Sequence, residues 1–262
     1  MTCGLIFREN APEDLSLLYD EGYYGGTNEY AYIDERDDKF LRDIENTRRL
    51  INLKRFVKSE HPTLLDVGCS FGSFVKKANE LGFMARGIDI SKHATFVSRM
   101  EGLPIREQDV CNYVTGKYDI ITLAEAMEHL RDPMQAIKNC YNALNSNGII
   151  LIQTTNMDSL VRRYEGETSR YFLPGHLFYF SEATLEKMLR YNGFKVEKVY
   201  YGHETGLIPA LIRKSISNLR RCDIQDWLVL LYTLLVHLGS KIHIHNVAMH
   251  NGMVVIARKL EK

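Results

Sequence analysis

From residue 62 onward, short apolar runs alternate with longer segments of helical period. The strand-like runs are "TLLDV", "ARGIDI", "IREQDV", "YDIITLA", "GIILIQT", "FKVEKVYY" and "GMVVIARKL", and helical patterns fall between them at 74–81, 92–100, 133–144 and 181–191. Ser181 reads as the N-cap of the last of these helices, with Thr184 three residues on, and Gly193 stops it. Near-continuous hydrophobic strands that alternate with helices predict an α/β domain with a parallel sheet covered on both faces. Residues 1–61 differ: helical patterns at 13–19 and 37–58 flank the tyrosine-rich turn "DEGYYGGTNEYAY". They are expected to form a helical cover appended to a domain at 62–262.

Composition narrows the picture. A chain of 262 residues, 45% of them hydrophobic, can bury one main core. Lys and Arg number 33 and so do Asp and Glu, so no net field draws the chain to nucleic acid, and none is expected as a partner. The five cysteines (Cys3, Cys69, Cys111, Cys140, Cys222) are odd in number and lack a C-x-x-C pair, and no basic stretch leads into an apolar one at the N-terminus. That pattern implies a reducing, cytoplasmic setting with neither disulfides nor structural zinc. The longest apolar run, "WLVLLYTLLVHL" at 227–238, is twelve residues, short of the roughly twenty needed to span a bilayer.

The chemistry concentrates in "TLLDVGCSFGSFVKKANELGFMARGIDIS". Gly68 and Gly72 permit a tight strand-to-helix turn and a close approach of backbone to ligand. Asp89 follows Asp66 by 23 residues and ends the second strand, where a carboxylate can accept both hydroxyls of a ribose. Turn and acid together point to an adenosine-containing ligand. The dinucleotide fingerprint G-x-G-x-x-G is absent, and Asp66, two residues before the first glycine, suits a ligand ammonium better than a pyrophosphate.

At these residues the sequence resembles the class I S-adenosylmethionine-dependent methyltransferases, whose first motif has the form hydrophobic-hydrophobic-Asp/Glu-x-Gly-x-Gly-x-Gly. Asp66, Gly68 and Gly72 match it, with Cys69 inside the turn, while Ser70 holds the middle glycine position and is expected to keep the backbone short of a strongly left-handed conformation. The resemblance implies S-adenosyl-L-methionine as cofactor and a Rossmann-like seven-stranded, mostly parallel sheet with an antiparallel last strand and helices on both faces. It further implies that Asp89 binds the ribose, Ile90 packs on the adenine, Asp109 contacts the adenine amino group and Val110 covers the ring. "YDIITLAEAMEHLRDP", which places Ala124 at the cofactor, and "GHLFYFSEATLEKMLRYNGFKV" resemble the ubiquinone-biosynthesis-type (methyltransferase domain 23-like) branch. Related enzymes place a segment before the sheet that closes over cofactor and substrate, a role that Tyr19, Tyr23, Tyr24 or Tyr30 would fill here, Tyr24 foremost.

Methyl transfer to an alcohol needs the acceptor positioned and its proton removed. Glu125, Glu128 and His129 form E-x-x-E-H after the fourth strand, and His129 titrates in the range of a general base. Three roles stay open for Glu128 and His129: base or acceptor contact, a local cap, or ligation of a divalent metal; no metal is expected. His176, in "PGHLFYF", is a second candidate for acceptor contact. About fifty residues separate the sixth and seventh strands, an insertion at about 203–246. Its basic amphipathic "LIPALIRKSISNLRR" and the apolar run after it read as a helical lid packing on the domain or a second subunit, or as a peripheral membrane contact through 207–238. The expected activity is O-methylation of a small-molecule, glycan or lipid-linked acceptor. The alternatives are N- or C-methylation of a sugar or natural product, a nicotinamide-dependent oxidoreductase, and a non-catalytic subunit that keeps the cofactor pocket.

Overall fold

The computed structural model describes residues 4–10, 23, 39–169, 172–173, 175–201, 243–244, 247–248 and 252–261. A short strand β1 (Ile6–Phe7) precedes helix α1 (Lys39–Lys54). Then come β2 (Thr63–Val67), α2 (Ser73–Glu80), β3 (Met84–Asp89), α3 (Lys92–Met100), β4 (Ile105–Glu107), β5 (Tyr118–Ala124), a 3₁₀ turn (Met127–His129), α4 (Pro133–Ala143) and β6 (Leu144–Thr155). The chain continues through α5 (Leu160–Glu165), β7 (Phe178–Tyr179), α6 (Glu182–Tyr191), β8 (Phe194–Tyr201), β9 (His243–Ile244), β10 (Val247–Ala248) and β11 (Gly252–Lys259).

Seven strands form one sheet in the order β4-β3-β2-β5-β6-β11-β8. The first five run parallel, and β11 lies antiparallel between β6 and β8. This is the α/β arrangement that the alternating pattern predicts, with the last strand inserted and reversed. Side-chain alternation splits the core cleanly. Leu65, Val67, Ile121, Leu123, Ile150, Ile152 and Val255 face α4 and α6, where they meet Ile137, Cys140, Leu185 and Leu189. Leu64, Ile120, Ile149, Leu151, Val254 and Ile256 face the other way, onto Leu50 and Leu53 of α1 and Phe74, Val75 and Ala78 of α2. The central strands β2, β5 and β11, and the second half of β6, therefore bury both faces, which is why their sequences read as continuous apolar runs.

The helix starts follow from their caps. Ser91 accepts the Ala94 amide and opens α3, and Asp132 accepts that of Gln135 ahead of Pro133 in α4. Ser181 and Thr184 close a reciprocal capping box on α6. Gly193, at φ 86°, ends that helix as its sequence position predicts. The differences from expectation are local. The "IREQDV" strand stops at Glu107, so Asp109 and Val110 lie in the turn that follows, and β6 begins at Leu144 rather than at Gly148. Two small antiparallel pairs, β1 with β7 and β9 with β10, have no counterpart in the periodicity. Most of the insertion, including 207–238, lies outside the described residues; His243–Ile244, within its predicted span, is a strand. Among the described residues no helix is long and apolar enough to cross a membrane.

Candidate active site

The carboxyl ends of β2, β3, β5 and β6 converge on one edge of the sheet, the place where open α/β sheets bind ligands. At the end of β2 the chain turns into α2 through three left-handed positions: Gly68 (φ 73°), Ser70 (φ 48°) and Gly72 (φ 80°). The expectation for Ser70 is thus corrected. The middle position is left-handed although it carries a side chain, at a cost of about 1 to 2 kcal/mol. It is held there because the Ser70 amide donates to Asp89 Oδ2 at 2.8 Å. The amides of Gly68 and Cys69 both donate to the Ile88 carbonyl, which ties the turn to β3.

Close packing enforces the two glycines as well as their conformation. A Cβ on Gly68 would lie 2.8 Å from the Ala126 methyl, and one on Gly72 would strike Ile105. Gly68→Ala is accordingly expected to destabilise the fold by about 2 to 4 kcal/mol, from left-handed strain plus overpacking. Urea denaturation measures this, and an unchanged midpoint would show that the turn relaxes freely.

Asp89, at the end of β3, also accepts the Ser91 amide at 2.8 Å on its other oxygen. Burial pushes its carboxyl above the ordinary range, and the amides of Ser91, Ser70 and Ile90 pull it back. The side chain is half-buried at the sheet edge, and its carboxylate oxygens keep accepting capacity for ribose hydroxyls. Asp66 is buried inside β2 and accepts from Thr122 Oγ1 at 2.6 Å, so it braces β2 against β5 at the floor of the turn. The Asp109 carboxylate accepts the Cys111 amide at 2.8 Å and shapes the turn that would flank an adenine. Ile90 is half-buried beside Asp89, whereas Val110 packs in the core with Ile88 and Val67. The thiol of Cys69 is buried beside Gly87, where any Cβ would collide with it, so Cys69 offers the site its backbone. Ala124 closes β5, half-buried. Tyr24, Tyr19 and Tyr30 lie outside the described residues; Tyr23 packs against Phe71 and Ala94. A turn without Cβ at its two ends and a carboxylate on the adjacent strand fit an S-adenosylmethionine molecule laid across β2 and β3.

Beyond β5, Glu125 adopts a left-handed conformation (φ 53°) and the chain enters the 3₁₀ turn at 127–129. That break swings Glu128 inward, where it is fully buried, and leaves His129 half-buried. Thr154 Oγ1 donates to Glu128 Oε2 at 3.0 Å. Burial first, and the neighbouring Glu125 carboxylate second, push the Glu128 carboxyl well above its ordinary range. Among the described residues its Oε1 meets no donor, and a proton on Glu128 relieves both pressures. His129 Nδ1 lies 2.9 Å from the Gly175 carbonyl. A carbonyl only accepts, so Nδ1 carries the hydrogen and the lone pair of the neutral ring sits on Nε2. Burial lowers the His129 pKa, against the pull of that carbonyl and of Glu125.

His176, buried after β6, stacks edge-on to His129 with ring centroids 4.8 Å apart. The ligating atoms of Glu128, His129 and His176 all lie within 4.8 Å of one another, compact enough to pass a proton or to grip a small cation. The structure thus gathers the three catalytic candidates although His176 is 47 residues from His129 in sequence. Sequence reading does not single out Arg49 or Gln153. Arg49 Nη2 donates to Gln153 Oε1 at 2.5 Å, and Gln153 Nε2 donates to Glu125 Oε1 at 2.8 Å, so α1 reaches the E-x-x-E-H turn through β6. The sequence cue is faint: Arg49 follows Asn46 by three and precedes Leu53 by four, on the face of α1 that Asn46, Leu50 and Leu53 bury.

Known proteins resemble the chain in sequence and in fold. The sequence profile of a methyltransferase domain family matches residues 38–199, more than half of the chain. The chain is 33% identical over 106 residues to the ubiquinone biosynthesis O-methyltransferase of Glaesserella parasuis serovar 5, a match covering 36% of this chain and 45% of that one. It is 30% identical over 131 residues to the enzyme of that name from Nitrosococcus oceani, covering 47% and 55%. It thus spans about half the length of these curated relatives. The fold is similar to that of magnesium protoporphyrin IX methyltransferase from Synechocystis PCC 6803, solved with bound SAH. There the TM-score is 0.58 at 13% identity, over 94% of this chain and 100% of that one. With the glycine turn, the acid on β3 and the E-x-x-E-H turn at one sheet edge, and the family profile running through all three, the chain belongs to the class I S-adenosylmethionine-dependent methyltransferases.

Proposed function

We propose that the protein methylates an oxygen atom of a small hydroxylated acceptor, free or carried on a glycan or lipid, with His129 as the general base. The observation that carries this reading is the bond from His129 Nδ1 to the Gly175 carbonyl, which puts the lone pair of the neutral ring on Nε2 in a cluster with Glu128 and His176. The names of the relatives, ubiquinone biosynthesis O-methyltransferases, support oxygen as the acceptor atom.

S-adenosylmethionine bound at the turn supplies a methyl group on a sulfonium, ready for in-line displacement. The remaining work belongs to side chains of this protein. Asp89 holds the ribose, and the glycine turn admits the cofactor backbone-close. His129 Nε2 would take the acceptor hydroxyl proton, readying that oxygen for a methyl transfer in which the sulfonium's S–CH3 bond breaks and neutral S-adenosylhomocysteine leaves. Burial and the neighbouring Glu125 carboxylate push Glu128 toward its neutral form, which limits negative charge beside the developing alkoxide. His176 packs the base in place and helps exclude water.

Calorimetric titration with S-adenosylmethionine, S-adenosylhomocysteine and NAD tests the reading at its root. Micromolar binding of the first two, with none of NAD, is the expected result, followed by turnover in a screen of hydroxylated aromatics and nucleotide sugars. Silence from both adenosyl ligands, in protein shown to be folded, would remove the assignment.

A further inference from the structure

The site depends on strand β1, which lies before the family match begins at residue 38. Residues 175–180 carry His176 and the Gly175 carbonyl that orients His129, and they run as a ribbon between two supports. On the inner side, the Leu177 amide donates to the Glu128 carbonyl at 2.7 Å, and the Met157 amide donates to the Phe180 carbonyl at 2.8 Å. On the outer side stands β1, with Ile6 opposite Tyr179 and Phe7 opposite Phe178, and the Arg8 amide donates to the Leu177 carbonyl at 2.9 Å. Leu177 is thus fixed through its amide to the E-x-x-E-H turn and through its carbonyl to β1. The strand itself is thinly anchored: Ile6 and Phe7 are 47% and 60% exposed, and among the described residues beside it Leu5 packs on the core. Side-chain burial therefore does not explain why β1 lies where it does, and its pairing with the ribbon does.

We propose that β1 is a positioning strand for the histidine pair, holding residues 175–180 so that the Gly175 carbonyl selects the Nδ1–H tautomer of His129 and His176 lies against its ring. The proposal rests on the reading of His129 as the base, and it is tested without turnover. In a solvent-exposed histidine side chain the Nε2–H tautomer prevails, so an Nδ1–H ring is a signature of the Gly175 contact, and nitrogen-15 spectra of the histidine side chains report it directly.

The informative pair is Arg8→Pro, which removes the amide that bonds Leu177, against Arg8→Ala, which keeps it. Truncation of residues 1–8 is a second way to remove the strand. Wild type and Arg8→Ala should show His129 protonated on Nδ1 at neutral pH. Arg8→Pro and the truncated chain should shift toward the Nε2–H form, exchange the Leu177 amide more than about tenfold faster, and still bind S-adenosylhomocysteine within about twofold of wild type. An unchanged tautomer and unchanged exchange in both variants would overturn the proposal. So would loss of S-adenosylhomocysteine binding in both, because β1 would then support the whole domain rather than the histidine ribbon. Failure of the wild type itself to bind that ligand speaks against the cofactor assignment and leaves the tautomer measurement readable.

Discussion

Replacing His129 by alanine is expected to lower turnover by about a hundredfold to ten-thousandfold, the range that a positioned general base contributes, while the affinity for S-adenosylhomocysteine stays near that of wild type. The split follows from the geometry. His129 sits beyond β5 in the 3₁₀ turn, and its Nδ1 contact goes to Gly175, whereas the ribose acid and the glycine turn belong to β2 and β3. Burial lowers the His129 pKa from its ordinary 6.5, so the base form prevails at neutral pH. The rate should rise with pH through a limb centred below 6.5 and then level off. The alanine variant should lose that limb. Measurements with and without EDTA belong in the same experiment, because Glu128, His129 and His176 are close enough to share a cation. Full activity in chelator keeps the proton-transfer reading, and full activity of His129→Ala removes it.

The second large effect is expected at Asp89. Asp89→Ala removes a carboxylate that would bind the ribose hydroxyls, and hydrogen bonds to a charged group are worth roughly 1.5 to 3 kcal/mol. Cofactor affinity should fall by about tenfold to a hundredfold or more, with turnover at saturating cofactor changed by less than about threefold, as loss of uniform binding requires. The variant also strips the acceptor from the Ser70 and Ser91 amides. Ser70 then loses the acceptor of its amide in the left-handed turn, and Ser91 caps α3, so a lowered melting temperature should accompany the loss. Asp89→Asn, which retains one acceptor oxygen of the same shape, should fall between the two. Unchanged affinity in Asp89→Ala would move the ribose elsewhere.

Much of the fold was legible because a parallel sheet buried on both faces writes itself into sequence as uninterrupted apolar runs. Pairs such as Leu64 and Leu65, or Ile120 and Ile121, must be apolar at both positions because one faces α1 and α2 and the other α4 and α6. The glycine turn was legible for a similar reason. Gly68 meets Ala126 and Gly72 meets Ile105, so side chains are excluded there by contacts that no other residue type can relieve. The E-x-x-E-H turn was visible as a pattern, but its pattern did not say which carboxyl goes inside. That depended on the left-handed step at Glu125 and on Thr154, which β6 brings from 26 residues away.

What the sequence by itself determined is the layered α/β core, the helix caps, the glycine turn and the pair of candidate acids and base after β5, since each is encoded by periodicity or by residues close in the chain. What only the tertiary structure decided is the company those residues keep. His176 stands against His129, Arg49 reaches Glu125 through Gln153, Ser70 is left-handed under the hold of Asp89, and β1 braces the histidine ribbon. These contacts join segments separated by 19 residues at the least and by more than a hundred at the most. Local periodicity carries no record of such pairings, because they arise only when the sheet fixes which strand ends and which loops share one edge.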